Sequence, residues 1–429
     1  MTTERPEDAS HKKITRRDAL KLAGVGGVGL LLGAGGMNGW LQGGAGSSKA
    51  STAAASATAS AEGIIPFYGK HQAGILTPMQ DFICMAAFDL TATTLEDVRK
   101  LFKIWTSASA RLAEGKFVEE ESDNPHLPPG DTGESAGLRP VRTTITFGLG
   151  ASFFDDRFGL AGKRPAPLVD LPRFNSDEIR KEWSGGDIVV QVCANDPQVA
   201  FHALRNLARI ARGKAVLHWV QEGFQRTGAS DPSGSTPRNL MGFKDGSNNP
   251  KVSDPAVADE IVWAQSSDNP AWMAGGSYMV MRRIRMRIEV WDRSSLDDQE
   301  ATFGRHRHSG APLSKAGEFD ELELDRKDDK GNPVIPANSH VALSHMDGQV
   351  KILRRGYSYS SGMDVKTGQL NAGLLFICFN RDPRKQFIPM QQKLASMDKL
   401  NEYIAHVGSG LYACLPGASA GGYIGDTLF

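Results

Sequence analysis

The sequence predicts an α+β protein built of two ferredoxin-like halves, in which antiparallel sheets are flanked by helices. With 429 residues, the chain is too long for one small domain and long enough for two. Each half holds strand-like apolar segments beside amphipathic helix-like segments. A linker rich in Ser, Pro and Gly, GASDPSGSTPRNL, lies between the halves. We therefore expect an N-terminal domain over residues 62–228 and a C-terminal domain over residues 229–429.

The first 61 residues, 1–61, predict an export signal. Arg16 and Arg17 precede an apolar run that Lys21 and several glycines interrupt, so the run is a poor transmembrane anchor. Four alanines in the following Ala/Ser tract offer contexts for cleavage: Ala55, Ala57, Ala59 and Ala61. The pattern resembles a twin-arginine signal, which exports folded proteins, often with a cofactor, to the periplasm, the cell envelope or the extracellular space. A disordered basic tail would explain the charges but not the apolar run.

The first half predicts the element order β–α–β–β–α. Its strands are FICMAAFDL, RTTITFGLG and DIVVQVCA, each a short apolar or alternating run. Thr93 and Glu96 form a candidate capping box for the first helix, LEDVRKLFKIWTSASARLA. Asp196 as N-cap and Pro197 at the first helical position begin the second helix. This order is consistent with a ferredoxin-like unit.

The second half predicts a similar scheme, beginning with the strand SYMVMRRIRMRIEVWD. Apolar residues from Tyr278 to Val290 alternate with Arg283, Arg285 and Arg287, which is typical of a half-buried strand with a solvated polar face. The segments SHVALSH, VKILRRGYSYS and GLLFICF follow, and MDKLNEYIAHV is predicted to be a C-terminal helix. The acidic tract ELELDRKDDKGN predicts a solvated loop.

Charge and cysteine content exclude several classes of protein. Lys and Arg together number 49, as do Asp and Glu, so the chain lacks the basic excess of a nucleic-acid-binding surface. The four cysteines are far apart and form neither a zinc-binding spacing nor a CxxCH motif for covalent haem. Buried free thiols are therefore expected.

Three features together predict a site with redox chemistry. Asp245 stands between two glycines in GFKDG, His340 and His345 lie in NSHVALSH, and Arg354 is the first of a pair in ILRRGYSY. Alone, GFKDG favours an ordinary surface turn. An imidazole that binds iron, a carboxylate that moves a proton and a guanidinium that stabilises developing negative charge are, however, the parts of a haem peroxidase site.

A set of segments in a fixed order resembles the dye-decolourising peroxidase family, in particular its twin-arginine-exported peroxidase and deferrochelatase branch. The segments are PFYGKHQAGI, GFKDG, FGRHRHSGAPL, SHVALSH, ILRRGYSY, GLLFICFNRDPR and LNEYI. They extend from about residue 66 to the C-terminus, so the resemblance covers nearly the whole exported chain. It implies a fold of the dimeric α/β-barrel type, with haem in the C-terminal half.

The resemblance also implies the site residues and partners. One haem b per chain would be bound through His340 as axial ligand, with His345 left as an alternative, and Asp245 and Arg354 would act on hydrogen peroxide. Further contacts to haem are expected from Gly246, Ser247, Asn248, His345, Met346 and Asp347. The implied activity is oxidation of dyes, phenols or other organic electron donors; the alternatives are release of iron from haem as substrate, or haem binding without catalysis. Iron-uptake permease components and a second copy in a homodimer are possible partners.

Other candidate residues have plainer interpretations. His306 and His308 are expected to be surface residues rather than metal ligands, because no other ligand is near in the sequence. His71, His202 and His218 are expected to be structural. Phe379 is a candidate for the wall of the haem pocket. Six aromatic residues are candidates for relaying electrons to bulky donors, and the sequence does not choose among them: Trp219, Trp263, Trp272, Trp291, Tyr357 and Tyr359.

Overall fold

The computed structural model describes residues 63–429. The export signal predicted over residues 1–61 lies outside the described residues. Within the described part there are nine strands: β1 (Phe82–Leu90), β2 (Thr144–Gly150), β3 (Ile188–Ala194), β4 (Ala215–Phe224), β5 (Ser277–Met286), β6 (Leu353–Arg354), β7 (Tyr357–Met363), β8 (Leu370–Asn380) and β9 (Ile404–Cys414).

The same part of the chain contains seven α-helices. They are α1 (Leu95–Ala113), α2 (Pro197–Ile210), α3 (Pro255–Ile261), α4 (Ile288–Trp291), α5 (Leu296–Phe303), α6 (His340–Ser344) and α7 (Phe387–Met397). No helix of residues 63–429 is both long and apolar enough to cross a lipid bilayer.

The strands form one antiparallel sheet that closes on itself. Their order is β5–β9–β2–β3–β1–β4–β7–β8, and β8 pairs with β5 to complete a ring of eight strands. The short strand β6 pairs with β8 at Arg354 and Cys378. Strands β1–β4 come from the first half of the chain and β5–β9 from the second, and the pairings β2–β9 and β4–β7 join them.

Alternation along each strand separates two apolar cores. In β1, Met85 and Ala87 belong to a core that the ring of strands encloses, together with residues such as Phe379 and Tyr412. The intervening residues of β1 pack outward, in one core with α1 and α2. The indole of Trp105 on α1 donates a hydrogen bond to the Leu207 carbonyl on α2, 2.9 Å away, which fixes the two helices together.

The helix starts in the first half are confirmed, with one shift. Asp196 caps α2 as predicted, because its carboxylate accepts hydrogen bonds from the backbone of Gln198 and Val199. For α1 the predicted capping residue is wrong by one position. Thr94 caps the helix and its side chain accepts from the Asp97 N–H, so Thr93 and Glu96 do not form the box. Strand β4, which follows α2, was not predicted.

Two predictions for the second half are wrong. The strand that begins at Ser277 ends at Met286, and the following residues form the short helix α4 instead of continuing to Val290. The segment MDKLNEYIAHV is not a helix: α7 ends at its first residue, and strand β9 begins at Ile404. Pairing with β5 accounts for β9, because it fills the backbone hydrogen bonds of an apolar segment that would otherwise lie at an edge.

The arginines of β5 are not a solvated face, which corrects that prediction. Arg283 is only 3% exposed. Its guanidinium lies between the rings of Trp183 and Tyr359, 4.2 and 4.3 Å from their centroids, and donates a hydrogen bond to Gln221. The closed sheet covers this face of the strand, which alternation within one strand cannot reveal.

The predicted buried free thiols are confirmed. All four cysteines are free and buried. Burial raises the pKa of the Cys84, Cys378 and Cys414 thiols well above their usual value, so these three are neutral.

Candidate active site

The loop that carries Asp245 is a tight turn fixed by its own backbone. The Asp245 N–H donates to the Pro237 carbonyl at 2.8 Å, and the Asn249 N–H donates to the Gly246 carbonyl at 3.0 Å. Gly246 has φ +136°, a conformation that residues with a side chain rarely adopt. The second glycine of GFKDG therefore turns the chain immediately after the acid.

Asp245 and Arg354, 109 positions apart in sequence, form an ion pair. The Arg354 Nη1 donates to the Asp245 Oδ1 at 2.8 Å. The Arg354 and Asp245 side chains remain 29% and 26% exposed, so neither is fully enclosed by the protein. The structure thus brings together the predicted acid and guanidinium, with hydrogen-bonding capacity on each left for a small molecule.

His340 is the first residue of α6, and it is held by an acid that sequence reasoning missed. The His340 Nδ1 lies 2.6 Å from the Asp398 Oδ2, and Asp398 is 3% exposed at the side chain. Burial alone would lower the pKa of His340, but the Asp398 carboxylate outweighs it and leaves that pKa raised. Among residues 63–429, no group hydrogen bonds to Nε2, and 35% of the side chain is accessible.

The imidazole lies within electrostatic reach of the ion pair. Arg354 lowers the pKa of His340 and Asp245 raises it, after the larger effects of burial and Asp398. Phe303 links the two parts, because its ring centroid lies 6.2 Å from that of His340 and it stacks on Phe243, two residues before Asp245.

His345 is placed less favourably for binding a metal. It caps the C-terminal end of α6, and its Nδ1 is buried without a partner in the described part of the chain. The two residues after it, Met346 and Asp347, have φ +49° and +52°, a left-handed conformation that is uncommon outside glycine. Met346 packs against the outer core, whereas Asp347 is exposed.

The other predicted contact residues lie around the Asp245 turn. The Ser247 hydroxyl donates to Glu318 at 2.8 Å, and Asn248 is exposed. Arg305 lies nearby: burial lowers its pKa most, the Glu318 carboxylate opposes this by raising it, and Arg354 lowers it further. Among the described residues Arg305 has no ion-pair partner and donates to the carbonyls of Gly310 and Glu318.

The side chains of this site suit a metal that is held mainly by a cofactor and needs few ligands from the protein. Among residues 63–429, no group of three or more His, Cys, Asp or Glu side chains could hold a bare metal ion. A single imidazole with an open Nε2 and a carboxylate behind it is instead the arrangement that orients a metal-binding histidine. One such ligand is what an iron in a macrocycle requires.

Phe379 does not face this site, contrary to the prediction. Arg354 pairs with Cys378, so those two side chains share one face of the sheet, and Phe379 points into the enclosed core on the other face. Leu374 and Phe376 lie on the Cys378 side and are only partly buried. Both belong to the LLFICF segment that was predicted to contribute to the pocket wall.

Of the other histidines, His71 and His202 were predicted to be structural and His306 to be a surface residue. His71 stacks on Trp263 with ring centroids 3.8 Å apart and contacts the Gly275 carbonyl. His306 contacts Glu300 and His202 is buried beside Asp131.

The six aromatic relay candidates are all core residues. Each is less than a tenth exposed, so none is a surface residue. Trp183, which stacks on Arg283, is partly exposed and was not among the candidates.

Two family models match the chain, and together they cover most of it. The model for the N-terminal part of Dyp-type peroxidases matches residues 72–225, and that for the C-terminal part matches residues 236–419. The chain belongs to the Dyp-type peroxidase family. It is therefore an enzyme with peroxidase or deferrochelatase activity, and its antiparallel sheet with flanking helices is the fold of this family.

Individual relatives of this Dyp-type peroxidase are similar over nearly their whole length. A deferrochelatase of Yersinia pestis is 40% identical over 371 residues, which cover 85% of this chain and 84% of the relative. A deferrochelatase of Escherichia coli K12 is 39% identical, covering 85% and 86%. The oxyferrous complex of DtpA from Streptomyces lividans has a TM-score of 0.80 at 39% identity, covering 86% of this chain and 98% of DtpA.

Proposed function

We propose that the chain binds one haem b through His340 and reduces hydrogen peroxide at the Asp245–Arg354 pair while oxidising an organic donor. One observation carries the proposal: His340 has an open Nε2, a carboxylate on Nδ1 and an ion pair within electrostatic reach. The similar DtpA of Streptomyces lividans was solved as an oxyferrous complex, which supports an iron-containing cofactor at this position.

Asp245 and Arg354 have distinct roles in this proposal. When bound at this site, haem would supply the iron for redox chemistry with peroxide. The Asp245 carboxylate takes a proton from one peroxide oxygen and returns it to the other. The Arg354 guanidinium stabilises negative charge on the departing oxygen. Asp398 holds the His340 ring by accepting the Nδ1–H, so that Nε2 keeps its lone pair for the metal.

The residues around the pair are proposed to line the cofactor. Gly246, Ser247 and Asn248 follow the acid on one side, and His345, Met346 and Asp347 follow α6 on the other. Arg305 is a suitable partner for a propionate, because its charge has no ion-pair partner in the described residues.

Two substitutions test the peroxidase proposal. Asp245→Asn removes the proton acceptor and Arg354→Leu removes the positive charge, while His340 and its Asp398 contact are kept. Each should lower kcat/KM for peroxide by about 100-fold or more, with the Soret absorbance retained. Full activity in both variants, with haem bound, would contradict the roles proposed for the pair.

A second candidate function is release of iron from haem with the porphyrin intact. It is favoured by the name deferrochelatase that the curated relatives carry at about 40% identity. Supplying haem anaerobically to the purified chain and extracting free protoporphyrin would support it. Bound haem with neither activity would leave a haem carrier.

We also propose how the domains are divided, where the protein is exported and whether it forms a dimer. The two family-model matches lie on either side of residues 226–235, which supports domains over 62–228 and 229–429, each ferredoxin-like.

The Arg16–Arg17 signal supports export to the periplasm or cell envelope, where iron-uptake permease components would be partners. Size-exclusion chromatography of the exported chain tests for the homodimer.

A further inference from the structure

The side chain of Asn249 is hydrogen bonded to both backbone groups of Arg354. Its Nδ2 donates to the Arg354 carbonyl at 2.8 Å, and its Oδ1 accepts from the Arg354 N–H at 3.1 Å. The two residues are 105 positions apart. The amide therefore pairs with Arg354 as a neighbouring strand would.

This contact matters because β6 is only two residues long. On one side β6 pairs with β8, and the next N–H along the chain, that of Arg355, donates to the Ile377 carbonyl at 2.7 Å. The Arg354 N–H and carbonyl point the other way, as alternation in a strand requires, and there they meet Asn249. The Asn249 side chain therefore satisfies the backbone hydrogen-bonding groups on the other edge of β6.

Asn249 also ends the turn that holds Asp245. Its own N–H bonds to the Gly246 carbonyl, so its backbone closes the turn and its side chain reaches the strand. The other side of the turn is held by Glu318, whose carboxylate accepts from Lys244 and Ser247, the residues on either side of Asp245 and Gly246. Asp245 and Arg354 are thus connected through their side chains and, independently, through Asn249.

We infer that Asn249 is a positioning residue, which sets the separation of the Asp245 carboxylate and the Arg354 guanidinium for reaction with peroxide. This inference rests on the proposed function of the pair. Asn249 itself does not touch the reacting atoms; it acts by fixing the backbone from which Arg354 extends. A displacement of a catalytic group by a fraction of its hydrogen-bond length is enough to slow a reaction that depends on orientation.

The test uses a double-mutant cycle with Arg354. Asn249→Leu removes both hydrogen bonds and keeps the number and branching of the side-chain heavy atoms, and it should lower kcat/KM for peroxide by about tenfold. In an Arg354→Leu background the same substitution should have no further effect, because the group that it displaces is gone. Asn249→Ala removes the same two hydrogen bonds with a smaller side chain, so it should give the same loss of kcat/KM, and it replaces Asn249→Leu in the cycle if that variant does not fold.

A matched control exists in the first half of the chain. The buried side chain of Gln72 clamps Phe147 in the same way, donating to its carbonyl and accepting from its N–H, both at 2.8 Å. Gln72 Nε2 also donates to the Leu415 carbonyl at 2.9 Å, so Gln72→Leu removes this pair and one further hydrogen bond, far from the acid–guanidinium pair in sequence. It should reduce thermal stability, and any effect on kcat/KM should be the same with and without Arg354.

Backbone hydrogen exchange gives a readout that needs no haem. In the haem-free chain, Asn249→Leu should speed exchange of the Arg354 amide by about tenfold or more, with the Arg355 amide, bonded to Ile377, as internal reference. Unchanged exchange together with unchanged kcat/KM would overturn the inference. So would an equal loss of kcat/KM in the Arg354→Leu background, since Asn249 would then not act through Arg354.

The two proposals fail in different ways. If wild-type holoprotein oxidises no donor with peroxide, the proposed function is wrong, and the positioning role in peroxide reduction falls with it. Faster exchange of the Arg354 amide in Asn249→Leu would then still establish the structural clamp. If the wild type is active and only the double-mutant cycle is additive, the proposed function stands and the inference alone is overturned.

Discussion

His340 depends on one neighbour for its charge. Burial would lower its pKa, and the Asp398 carboxylate at 2.6 Å reverses this, so the pKa is raised in the folded chain. A raised pKa means that the folded state holds the proton more tightly than the unfolded chain does. The contribution of this pair to stability is therefore complete below about pH 6.5 and is lost as the pH rises through the folded pKa.

Replacing Asp398 tests this directly. In the haem-free chain, Asp398→Asn should lower the pKa of His340, measured by NMR from the ring Cε1–H, because the compensating charge is gone while burial remains. The matched control is Asp298→Asn, which removes the carboxylate that pairs with Lys399, the residue after Asp398. An unchanged pKa of His340 in Asp398→Asn would mean that another group sets it.

The sequence identifies the site residues that belong to motifs, but it does not identify the residues that fix their positions. Asp245, His340 and Arg354 occur in recognisable segments, and the structure brings them together. Asp398 and Asn249 contact the site through hydrogen bonds that span 58 and 105 positions. Nothing in the local sequence distinguishes them from an ordinary helix cap or turn residue.

Helix α6 is positioned by a close approach of α5. Gly304 ends α5 with φ +81°, and a Cβ there would lie 2.8 Å from the Ser339 Oγ and closer still to the Val341 side chain. Both neighbours flank His340. Glycine is thus required at this position by its conformation and by the space that α6 leaves.

Gly304→Ala should therefore disturb haem binding as well as stability. Gly331→Ala is the matched control, since Gly331 also has φ +81° but has nothing within 4 Å. In urea unfolding, each substitution should lower the free energy of unfolding by about 1 kcal/mol, because alanine is strained in the left-handed conformation. Only Gly304→Ala should lower it further and weaken hemin binding, because only there does the new Cβ meet neighbouring atoms. Equal losses with unchanged hemin affinity would show that α6 does not depend on this contact.

Elements were predicted well where the pattern is local. The apolar runs of β1 and β3 and the capped helix α2 lie where the sequence placed them. The C-terminal segment was misjudged because its period is ambiguous over a few residues, and its pairing with β5, more than a hundred residues earlier, decides the outcome. A strand of this kind is specified by its partner more than by its own residues.

At the scale of the whole molecule, closure of the sheet depends on the β5–β8 pairing. Gly373 on β8 lies directly against the backbone of Arg285 and the Ile284 carbonyl on β5, with no room for a Cβ. The resemblance to the family implied a barrel, and the eight-stranded ring agrees with it, but the strand pair that closes the ring was not predicted. The double pairing of β5 with β8 and β9 joins distant segments and leaves no local pattern.

Gly373→Ala should open or strain this junction. We expect a loss of about 1–3 kcal/mol in the free energy of unfolding, from overpacking against backbone that cannot move aside. Gly162→Ala, at a glycine with nothing within 4 Å and no left-handed φ, should change stability by less than about 0.5 kcal/mol. A loss in Gly373→Ala no greater than in Gly162→Ala would mean that β5 and β8 separate easily.

The absorption spectrum of the purified chain with and without His340 tests the central claim most directly. The account predicts that the wild type binds hemin with a strong Soret band and that His340→Ala loses or shifts it, whereas His345→Ala keeps it. A Soret band that is unchanged in His340→Ala, or a wild type that binds no hemin, would contradict the account.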